Sequence, residues 1–235
     1  MKRQRRIECV ILLMMVLFVS ACATFPKSRS VSTKGLVRYF SFDRPTGEYT
    51  IHGSPEFIQD IRKSVCSFDG ENDWIDCGVS NEYSLSSDLT LTAWIKDFDP
   101  NDGYSQILWY GDKQSAKDPY QIALAKNRLV AVVDDSAGRW KLTAKKELDP
   151  KRWTFVAMTA ETLPSKLKQI KAYINDELVS EMTTLKAGEK LELKEPHLTI
   201  ACWGEGTGKY KGSLDDIRLY GRVLSEREIV RLYQE

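Results

Sequence analysis

The sequence predicts an all-β fold of two antiparallel sheets packed face to face, carried behind an export signal. Three observations point there. From Gly35 onward the chain runs in short stretches of alternating or wholly apolar residues bounded by Gly, Asp, Asn and Pro, the pattern of sandwich strands. Turn-forming pairs separate several of these stretches, and helical periodicity is absent until the last residues. Length and composition allow one such unit: 235 residues with 42% hydrophobic and 29% charged side chains suit a single large sandwich and not a disordered or multi-span membrane chain.

Residues 1–21 read as a secretory signal: basic Lys2, Arg3, Arg5 and Arg6, an apolar run from Cys9 to Val19, then small Ser20 and Ala21. The segment Val19-Ser20-Ala21-Cys22 resembles the lipobox of bacterial lipoproteins, and that resemblance implies acylation of the Cys22 thiol and cleavage before it. An uncleaved anchor is the alternative, since Cys9 to Phe25 falls a few residues short of the roughly 20 that span a bilayer. Ala23 stands where an Asp would resemble an inner-membrane retention signal, so the same likeness implies outer-membrane sorting in a cell with two membranes. Residues 22–34, rich in Ser, Lys, Arg and Thr, form a flexible tether, and 35–235 form the folded domain.

The four basic residues against Glu8 give residues 1–21 a charge of +3, so the whole-chain +1 leaves −2 for residues 22–235. A near-neutral body with interspersed charges lacks the basic stripe of a nucleic-acid binder. Nucleic acid is therefore not expected as a partner.

Within the domain, Leu89, Leu91, Ala93 and Ile95 alternate with Thr90, Thr92, Trp94 and Lys96, which puts one set on a core face. Ile170, Ala172 and Ile174 do the same. Asn175-Asp176 and Lys126-Asn127 sit between strand patterns and suit tight hairpins, where a positive φ is needed. A third hairpin is expected at Asp69 to Asp73. Its register would oppose Phe68 to Ile75 and Cys66 to Cys77, with β-carbons about 4.5 to 5.5 Å apart against the roughly 3.5 to 4.5 Å of a disulfide. An exported protein permits that bridge; a pair of buried thiols is the alternative, and Cys202 is left over as a core residue. Ser225 and Glu228 have the spacing of a capping box ahead of a short closing helix.

In order along the chain, several segments resemble the laminin-G-like jelly rolls of the concanavalin A-like lectin and glucanase superfamily. These are Gly35-Leu36-Val37 with Phe40-Ser41-Phe42-Asp43, Ser67-Phe68-Asp69-Gly70, Ala93-Trp94, Arg152 to Ala157, Tyr173 to Leu178, and Gly212-Ser213-Leu214-Asp215-Asp216-Ile217-Arg218-Leu219-Tyr220. The resemblance implies a jelly-roll sandwich with its first and last strands adjacent, and a binding module more often than a catalyst. It also implies a calcium ion on Asp43, Asp215 and Asp216, although Arg44 to Tyr49 lacks the Asn- and Gly-rich loop of relatives.

A catalytic reading would rest on Glu71 and Asp76, but Glu71 falls at a turn and Asp76 stands where the family's glucanases carry Glu. With only His52 and His197, no other hydrolase arrangement is legible, and no enzyme is expected. Ligand binding is carried by aromatics in expected loops: Trp203, Trp140, Trp109, Tyr110, Tyr104 and Tyr210. Aromatic faces stack on the apolar faces of sugar rings while polar neighbours orient them. Trp203 stands out because Gly204-Glu205-Gly206-Thr207-Gly208 follows it. The expectation is an envelope-anchored, lectin-like domain binding carbohydrate or another envelope or extracellular macromolecule. The alternatives are a structural lipoprotein of an envelope complex and a degenerate glucanase.

Overall fold

Alternating burial, rather than intrinsic propensity, lays out the strands, and in the computed structural model they assemble as two antiparallel sheets. Residues 33–43, 49–85, 88–112, 117–184, 186–204 and 206–235 are described, all within one compact unit. The signal at 1–21, the acylation site Cys22 and the tether up to residue 32 lie outside the described residues, as do Arg44 to Glu48 and Glu205.

The strands are β1 (Leu36–Phe40), β2 (Thr50–His52), β3 (Glu56–Asp60), β4 (Lys63–Asp69), β5 (Trp74–Asp76), β6 (Leu89–Lys96), β7 (Ser105–Asp112) and β8 (Lys117–Ala125). They continue with β9 (Arg128–Asp135), β10 (Gly138–Glu147), β11 (Thr154–Thr162), β12 (Lys168–Ile174), β13 (Glu177–Thr183), β14 (Pro196–Ile200) and β15 (Lys211–Tyr220). One sheet is ordered β13-β12-β11-β6-β15-β4-β3, with β1 also on β15; the other is β10-β9-β8-β7-β14-β5-β2. The first and last strands are adjacent, Phe40 facing Ile217.

Leu91, Ile95, Met158 and Ile170 from one sheet meet Leu108, Ile122, Leu129 and Ile200 from the other in a single core. Burying each such side chain contributes about 1.5–3 kcal/mol. The hairpins at Lys126-Asn127 and Asn175-Asp176 form, with Lys126 and Asn175 both at φ 57°. On the outer side of the eight-stranded sheet, Trp94, Phe155, Tyr173 and Tyr220 make a second apolar cluster, closed by Ile229 and Leu232 of helix α1 (Glu226–Tyr233). The Glu228 carboxylate reaches back to the Ser225 N–H at 2.8 Å, so the predicted capping residues start the helix. Among the described residues no helix is long and apolar enough to cross a membrane.

The hairpin expected at Asp69 to Asp73 does not form. β4 lies in the eight-stranded sheet and β5 in the seven-stranded one, so the chain crosses between layers there. Asp69 accepts the N–H groups of Glu71, Asn72 and Asp73 (2.7, 2.9 and 3.1 Å), and the buried Asp73 carboxylate accepts those of Ser54 and Asp69 (2.6 and 3.0 Å). The turn chemistry was legible, but core-facing residues on both sides fit a crossover as well as a hairpin. In consequence Cys66 faces Phe57 and Leu214, and Cys66 and Cys77 are free, buried thiols instead of a disulfide. Burial pushes both thiols far above the ordinary range.

Candidate ligand-binding face

The outward face of the seven-stranded sheet carries a connected network of aromatic, acidic and basic side chains. Strand alternation sends Leu129, Ala131 and Val133 of β9 inward and Val130, Val132 and Asp134 outward. On β8 the same rule puts Gln121 and Ala123 outward, opposite Val132 and Val130. Tyr104, just ahead of β7, packs on the patch made by Ala123, Val130 and Val132. Its hydroxyl donates to Gln121 Oε1 at 3.3 Å, and burial pushes its phenol up to about 12. Lys141 Nζ lies 5.2 Å from the centre of the Tyr104 ring.

Asp118, 1% exposed, organises the rest. Its Oδ1 accepts the indole N–H groups of Trp109 at 2.8 Å and Trp203 at 3.1 Å. Its Oδ2 accepts Arg139 Nη1 at 2.7 Å, and the same nitrogen reaches Asp134 Oδ2 at 3.0 Å. Charge-assisted bonds of this kind are about twice as strong as neutral ones, which is what a buried carboxylate requires. Burial pushes Asp134 up to about 6 against the opposing pull of Arg139.

Trp203 stands at the top of this network, 41% exposed. Its backbone pairs with Thr207, N–H to carbonyl at 2.7 Å, so the short loop folds back on itself. Gly208, at φ 57°, sits against both aromatics: a β-carbon there would lie 3.6 Å from the Tyr104 carbonyl oxygen and 3.7 Å from Trp203 Cβ. The Gly208 carbonyl accepts the Gln106 N–H at 2.8 Å, tying the loop to β7. The result is an exposed indole fixed by its own N–H, beside a half-buried tyrosine and two cations. Such a platform can stack against a flat apolar face and bond its polar rim.

Two of the six expected aromatics, Trp203 and Tyr104, therefore come together. Of the other four, three are corrected by burial and Trp140 by the inner side of the sheet that it faces. Trp109 is 1% exposed and acts as a strut beneath Asp118; Tyr110, next to it on β7, points into the core and stacks on Tyr120 at 4.9 Å. Tyr210 is fully buried in the core, and Trp140, opposite Val133, packs half-buried against the same core. In sequence these segments read as loops, whereas Trp109, Tyr110 and Trp140 lie within strands. Asp118, Asp134 and Arg139 do not stand out in sequence; the usable signal is an acidic pair, Asp134-Asp135, at the end of an otherwise apolar strand.

The three aspartates expected to hold calcium line one pocket of about 400 Å³. Arg62 already occupies the acid pair, Nε 3.1 Å from Asp215 Oδ2 and Nη2 2.6 Å from Asp216 Oδ2, while Lys63 approaches Asp43 at 3.8 Å. Among the described residues no group of three or more His, Cys, Asp or Glu has metal-holding geometry. A hard cation wants six to eight oxygens, and these residues do not fit one. Of the carboxylates weighed for catalysis, Glu71 is exposed on the crossover turn and Asp76 lies 3.2 Å from His197 Nδ1 and accepts the Gly78 N–H.

A model of the concanavalin A-like lectin/glucanases superfamily matches residues 69–230. No curated protein matches the chain in sequence. Among solved structures, the binding domain of Paraclostridial Mosquitocidal Protein 1 is similar at TM-score 0.65 and 15% identity, over 86% of this chain and 52% of that one. The binding domain of botulinum neurotoxin DC, solved with rat synaptotagmin II, is similar at 0.62 and 12%, over 86% and 52%. Domain 4 of AbnA, an extracellular arabinanase from Geobacillus stearothermophilus solved with arabinotriose, is similar at 0.64 and 16%, over 85% and 98%. The chain thus spans about half the length of the toxin domains and nearly all of the arabinanase domain. At these identities the likeness is one of fold.

Proposed function

The chain belongs to the concanavalin A-like lectin/glucanase superfamily, and from that premise we propose that it is a non-catalytic recognition protein that binds carbohydrate on the outward face of its seven-stranded sheet. The observation that carries this is Trp203, an exposed indole whose orientation is set by Asp118 before any ligand arrives. Pre-fixing a contact residue removes the ordering cost that binding would otherwise meet. Arg139, held on Asp118, and Lys141, over the Tyr104 ring, both on β10, offer donors to hydroxyl or carboxylate groups of a ligand. The arabinanase domain, named as bound to arabinotriose, shares the fold over almost its whole length, which supports the carbohydrate reading. The Glu71 N–H is bound by Asp69 and the Asp76 carboxylate lies on His197 and the Gly78 N–H, and this reading gives neither residue a catalytic part.

The reading includes anchorage through an acylated Cys22 in the cell envelope, at the outer membrane where there are two, with the domain held off the lipid by residues 22–34. Two experiments test it. Glycan-array or polysaccharide pull-down binding should appear for the native domain and weaken strongly for Trp203→Ala; native enrichment no greater than that of a heat-denatured control overturns it. Cys22→Ser should move the protein out of the membrane fraction. Co-purification with an envelope protein in fixed stoichiometry, without sugar, would replace carbohydrate with a protein partner.

A further inference from the structure

The pocket lined by Asp43, Asp215 and Asp216 is built around a cation that belongs to the chain. Arg62 sits in the turn between β3 and β4, and its guanidinium bridges the two neighbouring carboxylates of β15, at 3.1 Å and 2.6 Å. Its plane lies against the Trp94 ring, 3.8 Å from Cζ to the ring centre. Asp216 stands at φ 47° where β15 changes partners: Lys211 to Leu214 pair with β4, Ile217 to Tyr220 with β1. The acid pair thus occurs at an irregularity that needs an external tie, and Arg62 supplies it from another strand pair. Asp216 also takes the Tyr39 hydroxyl, and Arg218 lies 3.0 Å from Glu235. Around the pocket, Arg62, Lys63 and Arg218 face Asp43, Asp215, Asp216 and Glu235, so charge is close to balanced without an added ion.

We propose that Arg62 is a built-in cation that ties the β3–β4 turn to the bulge of β15 and takes the place of a divalent metal ion, so that the domain holds its fold without calcium. An arginine suits the task where a lysine would not. Its planar fork meets two carboxylates at once and stacks on an indole, whereas an ammonium is a compact, strongly hydrated point charge. A calcium ion entering here would have to displace the guanidinium and sit beside Lys63 and Arg218.

The test is thermal unfolding of the full-length protein in detergent, in excess EDTA and in millimolar calcium. The native protein should melt at the same temperature in both. Arg62→Gln, which removes the charge and shortens the side chain while keeping it polar, should lower Tm by roughly 5 to 10 °C and recover part of that loss in calcium, because the acid pair is then open. Arg62→Lys should fall between the two and covers the case in which Arg62→Gln does not fold. A native Tm that drops in EDTA, an Arg62→Gln Tm equal to the native one, or a loss in Arg62→Gln that calcium leaves untouched would each overturn the proposal.

Discussion

Lys168 and Asp135 meet at 2.9 Å in the interior, their side chains 0% and 1% exposed. Lys168 opens β12 of the eight-stranded sheet and Asp135 ends β9 of the seven-stranded one, so this ion pair links the two layers. Asp135 also accepts the N–H groups of Ala137 and Gly188 at 2.9 and 3.0 Å. Burial alone would raise its carboxyl pKa, but these donors and Lys168 hold it below the usual carboxylate range.

Removing one partner of such a pair is expected to cost far more than removing both. Lys168→Ala leaves a buried carboxylate without its counter-charge, and a loss of about 3–5 kcal/mol follows. The double variant Lys168→Met with Asp135→Asn removes both charges and keeps an acceptor for one of the two N–H groups, so it should recover part of that loss. Urea denaturation of the three proteins measures it; a double variant no better than the single one would mean that the charges themselves hold the layers together.

Trp203 and Trp109 share the Asp118 carboxylate yet should behave oppositely. Trp203→Ala removes an exposed ring, so glycan binding is expected to weaken by about 2 kcal/mol or more, roughly 30-fold, with Tm lower by no more than about 4 °C. Trp109→Ala empties a buried site and should destabilise by about 3–5 kcal/mol. Calorimetric titration beside thermal melts separates the two, and equal effects of both variants on stability would contradict the assignment of Trp203 as the contact residue.

This division marks where sequence reading succeeds and fails. Period-two alternation was enough for Leu89 to Lys96 and for Ile170 to Ile174 because polar Thr90, Thr92, Lys96 and Lys171 alternate with the apolar core residues. It was not enough at Trp109 and Tyr110, where both faces of β7 are covered, so neither residue is available although adjacent residues point to opposite sides. Cys66 and Cys77 show the same limit for turns: local hydrogen bonding of Asp69 is readable, but which sheet the next strand joins depends on β2, β14 and β15, far away in the chain. Trp203 was legible because glycines around it signal a loop; Asp118, Asp134 and Arg139 were not, since only strand register brings them together.

Acidity should act on the site through Asp134. Its ordinary value of 3.8 is pushed up to about 6 by burial, so the folded state holds the proton more tightly than the unfolded one. The resulting stabilisation is complete below about pH 3.8 and is lost as pH rises through 6. Burial also pushes Asp215 up to about 7, so Asp134→Asn should reduce, without abolishing, the dependence of Tm on pH between about 4 and 7, measured against the native protein at fixed ionic strength. An unchanged profile would place the titration on another group.

Gly111 ties the site to the sheet beneath it. A β-carbon at this position of β7 would lie 2.4 Å from Trp109 Cζ2 and 2.7 Å from the Lys117 carbonyl oxygen, distances that neither ring nor backbone can accept without moving. Gly111→Ala should therefore cost about 1–3 kcal/mol by overpacking. It should also weaken glycan binding, because a displaced Trp109 gives up its 2.8 Å bond to Asp118, the group that also holds Trp203. Gly103→Ala is the matched control, since a β-carbon there meets nothing within 4 Å, and it should change neither Tm nor binding. If Gly111→Ala lowers stability but leaves binding intact, Trp203 keeps its orientation without help from Trp109, and the strut beneath Asp118 is only a matter of packing.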